Sequence, residues 1–358
     1  MSVRGEYDDN VNTAPDGQED EAWILNLSPS VLYKYEMENT SFEAGYTFGF
    51  KQFFGRAGED KEDFSHTVQG SINHRFSPRF TLSVQERFSF DQEDALQDRG
   101  IQRRVGGDRI RNTAGLSASY DWTERFNTLT QYNNVFLHYF DKPSSTTNNY
   151  ISHEVSQQFR FNATSKTTPF FNYVYRTFDY RTIQRDRDEH LALVGADHYL
   201  LDNWLISGKA GAQFVFYDNP IFNDNIGPYA NVRTVWNYDK KSNLGAGYTF
   251  GTSVTDNANF SSSENHSFDA QITHYFTEKF SVGASGLYEL ASFESDQSFT
   301  AGARDITEHT ISAGINARYA FTEYLSVDAG YRYSEVISDT NAREYDRNRV
   351  YLGVTGSY

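Results

Sequence analysis

The chain has 358 residues, no cysteine, 7 prolines, 16% aromatic residues and a formal charge of −16 from 32 basic and 48 acidic side chains. That balance excludes nucleic acid as a partner, since phosphate contacts need clustered Lys and Arg, and the missing thiols exclude disulfides, thiolate metal sites and CxxC redox chemistry. A mean hydropathy of −0.66, with no run near the roughly 18 apolar residues of a spanning helix, excludes a helical membrane protein, while 29 Phe, 25 Tyr and 4 Trp are too much ring mass for a solvated coil.

The opening Met1-Ser2-Val3-Arg4-Gly5 carries no apolar stretch of signal-peptide type, so an exported chain is expected here in mature form, its leader removed. A first strand is predicted around Val3 to Asp9. From Trp23 onward the residues alternate. In Phe42-Glu-Ala44-Gly-Tyr46-Thr-Phe48-Gly-Phe50 every second residue is apolar or aromatic and those between are small, polar or charged; a period of two is that of a strand. The pattern recurs through Ile311, Ala313, Ile315, Ala317, Tyr319 and Phe321, and through Leu325, Val327, Ala329, Tyr331 and Tyr333. A last strand is predicted from Arg349 to Tyr358, ending on an outward aromatic. No stretch shows a 3.6-residue period.

Tight polar turns punctuate the strands at Asn39-Thr40, Ser77-Pro78-Arg79, Thr123-Glu124-Arg125, Ser165-Lys166, Asp202-Asn203, Lys240-Lys241, Thr277-Glu278-Lys279 and Thr322-Glu323. The other connections are longer and rich in Asp, Asn, Arg and Ser: Asp8 to Glu21, Gly55 to Asp63, Asp91 to Gly107, Asp141 to Asn149, Thr182 to Glu189, Asp218 to Asn225, Thr255 to Asn265, Glu294 to Thr307 and Ser338 to Arg347. Successive short turns lie about 37 to 46 residues apart, a period that a β-propeller also uses. A propeller blade fits four short strands into that length, whereas here two uninterrupted alternating segments fill it. Strands that long, each with one dry and one wet face, match membrane-crossing strands. The prediction is an all-β fold: one domain over residues 1–358, a transmembrane antiparallel up-and-down barrel of about 18 strands, with 16 as the alternative, and with short periplasmic turns and longer extracellular loops.

The closing strand Val350-Tyr-Leu352-Gly-Val354-Thr-Gly356-Ser-Tyr358 resembles the C-terminal aromatic strand of Gram-negative outer-membrane proteins. The N-terminal Tyr7-Asp8-Asp9-Asn10-Val11, with Leu27-Ser-Pro29 and the hairpin that follows, resembles the putative β-barrel porin type 2 family. The resemblance extends loosely over the whole chain as architecture. It implies an outer-membrane pore, in some members associated with exopolysaccharide systems, and supplies no catalytic residue.

Rings near strand ends are expected to form two interfacial girdles, with Trp23, Trp122, Trp204, Trp236, Phe276, Phe280, Phe321 and Tyr358 as members. The other face of each strand carries Lys34, Glu43, Lys51, Arg75, Arg87, Asp121, Glu154, Arg160, Arg176, Asp197, Lys209, Arg233, Asp269, Glu289, Arg318, Asp328 and Arg332. So many charges imply water or an ion-pair lattice, and these residues are the expected pore lining, either filtering solutes or bracing the wall. Ten of the seventeen are basic, so most of the negative charge is expected in the loops. The connection from Asp91 to Gly107, holding Asp94, Asp98, Arg99, Arg103, Arg104 and Asp108, either folds inward to narrow the pore or stays a solvated surface loop; the second is favoured.

On the lipid side Glu86, Thr128, Thr130 and Gln157 interrupt the apolar pattern. A phase-shifting bulge is the simplest explanation, with contact to a second protomer as the alternative. There is no phosphate loop, HExxH or GxSxG. His153-Glu154 and Glu308-His309 are the best catalytic candidates, yet neighbours on a strand point to opposite faces, so an enzyme is not expected and neither is a cofactor or metal. The function read from the sequence is a porin-like outer-membrane channel for passive or weakly selective diffusion of small hydrophilic solutes. A polysaccharide export barrel or partner-anchoring scaffold is the alternative, and an outer-membrane hydrolase the third reading. Expected partners are outer-membrane lipid and lipopolysaccharide, the solutes themselves, and a second copy or a periplasmic protein.

Overall fold

The computed structural model describes residues 1–56, 61–92, 95–98, 101–104, 107–140, 148–181, 185–254, 260, 262–293 and 305–358. Its strands are β1 (Ser2–Asp8), β2 (Ala22–Ser28), β3 (Ser30–Glu36), β4 (Thr40–Phe54), β5 (Glu62–Ser77), β6 (Phe80–Asp91), a small separate hairpin of β7 (Ala95–Asp98) and β8 (Ile101–Arg104), β9 (Arg109–Asp121), β10 (Phe126–Tyr139), β11 (Tyr150–Phe161), β12 (Thr167–Tyr180), β13 (Arg187–Leu201), β14 (Trp204–Tyr217), β15 (Asn225–Trp236), β16 (Asn243–Val254), β17 (Ser262–Tyr275), β18 (Phe280–Phe293), β19 (Ile306–Ala320), β20 (Leu325–Ser338) and β21 (Tyr345–Gly356). Each main strand pairs antiparallel with its chain neighbours, and β1 pairs with β21 as well as β2, which closes the sheet. The sheet holds 19 strands. Because β2 and β3 are two halves of one stave, both alongside β4, the barrel has the eighteen staves expected. Pro29 makes the break: it has no amide hydrogen for the ladder, though its carbonyl still accepts from the Phe48 amide at 3.0 Å.

The short turns share a local cause. Thr123, Thr164, Thr277 and Thr322 each accept, through Oγ1, the amides two and three residues ahead at 2.9–3.3 Å, so one hydroxyl satisfies two donors as the chain reverses. Close approach of staves is set elsewhere by glycine. A Cβ at Gly211 would lie 1.9 Å from the Ala192 carbonyl oxygen, whereas one at Gly5 would meet nothing within 4 Å. Gly211→Val is therefore expected to cost about 1–3 kcal/mol through backbone displacement and to lower the fraction of folded, heat-modifiable barrel on a gel, with Gly5→Ala unchanged.

Registers show which residues share a face. One row runs Val84, Leu116, Tyr132, Val155, Tyr175, His190 and Phe214; the row beside it runs Gln85, Gly115, Asn133, Glu154, Arg176, Glu189 and Val215. The first face leaves large apolar groups uncovered, with Val84 at 41% and Val155 at 46% exposure. A closed barrel with an apolar exterior and a polar interior is the form in which strands cross a lipid bilayer.

Register shifts fall at Arg75/Ser77 and Tyr199/Leu201, beside short turns, away from Glu86, and none occurs in the β6–β9, β9–β10 and β10–β11 pairings. The expected bulge is thus corrected: Glu86, Thr128, Thr130 and Gln157 do face outward. Each has a partner there. Asn112 Nδ2 donates to Glu86 at 3.0 Å, Trp122 Nε1 to Thr128 at 3.0 Å, and Thr130 Oγ1 to Gln157 at 2.7 Å.

Candidate functional site

By register and alternation, all seventeen charged residues picked out from the sequence lie on the inner face, opposite the exposed rings. Some are brought into pairs: Lys34 with Glu43 at 2.9 Å, Arg160 with Asp197 at 2.7 Å, Arg233 with Asp269 at 3.5 Å, and Arg176 with Glu154. Asp328 is taken by Arg4 at 3.1 Å. Arg87 donates to Gln69 at 3.3 Å and Arg318 to Ser326 at 3.0 Å. Among the described residues, Arg75, Arg87, Lys209, Arg318 and Arg332 have no carboxylate partner, and of the inward acids Asp121 and, on β3, Glu36 have no cation. Lys51 and Glu289 also have partners.

The inner lattice extends beyond those seventeen. Glu189, with its side chain 1% exposed, joins Arg176 at 3.3 Å and Arg187, itself 1% exposed; Arg187 Nη1 also donates to the Tyr217 hydroxyl at 3.1 Å. Arg347 Nε donates to both oxygens of fully buried Asp8 at 3.0 Å, Arg343 Nε to Glu308 at 2.8 Å, and Arg109 pairs with Asp91 at 2.6 Å. Sequence reading missed this lattice because its members stand at or beside the loop ends of strands, most of them in stretches assigned to connections, and Glu308 was weighed there only as a catalytic candidate. Period two, carried a few residues further into each loop, would have found them.

Burial along the lumen is uneven. On β17 inward Ser263, Asn265 and Ser267 are buried while Gln271, nearer the turn, is exposed; on β14 Val215 and Gln213 are buried and Lys209 is not. Apolar clusters sit inside the loop half: Leu137, Tyr139, Tyr150, Phe178 and Tyr180 in one, Val215 and Tyr217 under loop residue Phe222 in another, Ala291 and Phe293 under loop residue Phe260 in a third. The lumen is wide and polar at the short-turn end and narrows under the loops. Among the recesses in its wall, one is lined by Arg176, Gln213, Tyr229, Thr249, Asn265 and Ser267 and another by Lys51, Asp63, Ser65, Arg87, Ser89 and Asp91.

The expected girdle rings are outward or at strand ends. Trp122, Phe276 and Phe321 are exposed at short turns, Trp23 is exposed at the loop end, and Tyr358 lies fully exposed beyond β21. Trp204 stacks on Trp236 with centroids 5.2 Å apart, and Phe276 on Phe280 at 5.6 Å. The histidines follow a rule that sequence reading did not see. Tyr46, Tyr132, Tyr173, Tyr248 and Tyr288 bond through their hydroxyls to Nδ1 of His66, His153, His190, His266 and His309, at 2.9, 2.8, 2.7, 3.0 and 2.9 Å. In every case the imidazole lies on the next stave, two residues nearer the loop than the residue opposite the tyrosine. At the turn end His74, His198 and His274 bond to Thr40, Thr167 and Tyr238.

Both catalytic candidates come apart. His153 faces outward to Tyr132 while Glu154 faces inward to Arg176; His309 faces outward to Tyr288 while Glu308 faces inward to Arg343. The expectation for the connection from Asp91 to Gly107 rests on Asp94, Asp98, Arg99, Arg103 and Arg104, whose side chains lie outside the described residues; Asp108 accepts from Gln92. The carboxylates of Asp16, Glu19 and Asp346 gather within 4.8 Å of one another at the loop end, with Asp16 and Glu19 in open solvent. On Asp186, in the connection before β13, burial raises the carboxyl above its ordinary range, against the Tyr180 amide that donates to it at 2.7 Å.

A family model described as Putative beta-barrel porin 2 matches residues 1–358. No curated protein sequence matches the chain. Among solved structures, OccK2 (OpdF) of Pseudomonas aeruginosa in complex with glucuronate is similar with a TM-score of 0.53 and 12% identity, over 100% of this chain and 97% of that one. OpdK of the same organism with vanillate gives 0.52 and 10%, over 98% and 96%. The chain spans 62% of the length of the FrpB iron transporter of Neisseria meningitidis (F5-1 variant), with 94% of this chain aligned, 10% identity and a TM-score of 0.48. At these identities the likeness is one of fold.

Proposed function

We propose, from the premise that the chain belongs to the putative beta-barrel porin 2 family, that it is an outer-membrane channel for small hydrophilic solutes with a preference for anions. One observation carries the preference: among the described inward-facing residues of the staves, five cations lack a carboxylate partner, while two carboxylates, Asp121 and Glu36, lack a cation. Paired charges brace the wall and nearly cancel at a distance, so the unpaired ones set the field a solute meets. Passage is diffusion down a gradient; the inner face supplies water-bearing polar groups and electrostatic bias, and no residue is assigned chemistry on the solute.

The taper supports a small solute. Apolar clusters under the loops leave an extended polysaccharide little room, while the recess lined by Arg176, Gln213 and Asn265 offers hydrogen-bond donors to a carboxylate or hydroxyl of a passing solute. Glucuronate and vanillate, present in the OccK2 and OpdK structures, are small carboxylates and make suitable first solutes.

The test is the reversal potential of single channels in a planar bilayer under a KCl gradient. Anion preference is expected, and Arg87→Ser should reduce it. Arg233→Ser should change it less, because Arg233 already faces Asp269 at 3.5 Å. Cation preference in the unmodified protein would overturn the reading.

A further inference from the structure

We infer that the five outward imidazoles held by a tyrosine at the loop end, His66, His153, His190, His266 and His309, form a belt that binds the phosphate groups of outer-leaflet lipid. His138, the sixth outward imidazole there, is bonded to Asn149 instead. The inference rests on the outer-membrane placement proposed above and is independent of conduction.

Three observations lead there. The first is height. His66 and Phe76 lie ten residues apart on one stave and the chain, as do His266 and Phe276, each running from the imidazole belt to the rings at the short turns. Ten residues at about 3.3 Å each, tilted by about 40°, rise about 25 Å, which is the height of the apolar band of such barrels. The imidazoles therefore stand at the edge of hydrocarbon, where headgroups begin.

The second is exclusion. Within the staves every described Lys and Arg side chain turns into the lumen, as the registers require. On the outer surface at this level, apart from Arg181 just beyond β12, which lies over the Phe136 ring at 5.1 Å, histidine is the residue left on the staves to offer a polar N–H capable of carrying positive charge. Glu86 and Asn112, bonded to each other at 3.0 Å, hold the same diagonal position in the β6–β9 pair and offer no such group.

The third is presentation. The tyrosine hydroxyl occupies Nδ1 and fixes the ring. With the phenol proton donated to Nδ1, the hydrogen of the neutral imidazole is on Nε2, the nitrogen remaining for an outside acceptor. A phosphate oxygen accepts such a hydrogen bond strongly because it is charged. One rigid donor on each of five hairpins makes a discontinuous ring of anchors around the barrel.

The experiment titrates the full detergent-solubilised barrel with diphosphoryl lipid A, with the same lipid after enzymatic dephosphorylation, and with inorganic phosphate, and counts retained lipid by native mass spectrometry. Diphosphoryl lipid A should be retained in preference. Loss of one hydrogen bond to a charged acceptor is about a tenfold effect, so His266→Phe with His309→Phe should weaken retention at each of those two positions about tenfold. His198→Phe, at the opposite rim, should leave it unchanged. Should the double variant fold poorly, His309→Phe and His309→Lys are compared singly: phenylalanine should lose retention and lysine keep it. Equal retention of the two lipids, loss with His198→Phe alone, or equal stabilisation by inorganic phosphate would each overturn the belt. Bilayer conductance of the same variants should be unchanged, so failure of the belt and failure of the channel reading give different results.

Discussion

Glu189→Gln is expected to be the most damaging single substitution in the wall, costing about 3–5 kcal/mol, the range for removing one partner of a buried ion pair. Glu189 lies between Arg176 and Arg187, and both it and Arg187 have side chains 1% exposed. Without its charge, Arg187 keeps only the Tyr217 hydroxyl and the face of Phe178, 4.9 Å from its guanidinium carbon. Glu154→Gln should cost clearly less, because Glu154 is 22% exposed and Arg176 would retain Glu189. Urea titration of the barrel in micelles, followed by tryptophan emission, measures both. Replacing Glu189 and Arg187 together by leucine and methionine should recover most of the loss, since apolar groups of similar volume often substitute for a buried pair at little cost. Equal midpoints for Glu189→Gln and Glu154→Gln would show that the buried network is not what holds this sector.

The second large effect is on selectivity. Lys209 stands on β14 between Gly195 and Asn231 of the flanking staves, partly exposed and without a carboxylate partner among the described residues. A unit charge about 5 Å from a solute in water contributes about 0.8 kcal/mol, so Lys209→Glu, a change of two charges, should lower the local anion concentration and raise the local cation concentration by roughly tenfold each. Gly195 and Asn231 opposite Lys209 leave the new carboxylate room, and the Arg176–Glu154 pair nearby offers it a cation as well as a like charge, so folding should be little affected. Reversal potentials in a salt gradient should move toward cation preference, more at 0.1 M than at 1 M salt, because screening shortens the reach of the charge. A potential that does not move would remove Lys209 from the conducting path.

How far the sequence could be read depended on which residues set the period. Alternation through Phe42–Phe50 or Leu325–Tyr333 needs no tertiary information, because a strand between lipid and water has no other solution. Stave number and inward face follow from it. Glu86 and Thr130 broke the alternation and invited a bulge. Their outward placement depends on Asn112 and Gln157, partners 26 and 27 residues away, which only the register supplies. The Tyr–His pairs were hidden for the same reason: each spans a loop, with separations of 17 to 21 residues, and becomes regular only once the staves are aligned. Arg187, Glu189 and Arg347 were lost to an assumption that polar, charge-rich stretches are loops, although the inner face of a barrel is itself polar.

The closure between β1 and β21 sets an order on how the chain is built. Its ladder joins Ser2 to Thr355 and Asp8 to Arg349, the longest sequence separations in the sheet, while every other stave meets a neighbour one turn or one loop away. Hairpins can therefore zip locally, and the ring is fastened last. Until then two raw edges stay open to any strand that reaches them. The fastening stave is also short, seven residues on either flank, so a lateral breach of the finished cylinder should start at β1, with Arg4–Asp328 and Arg347–Asp8 as the clasps that delay it.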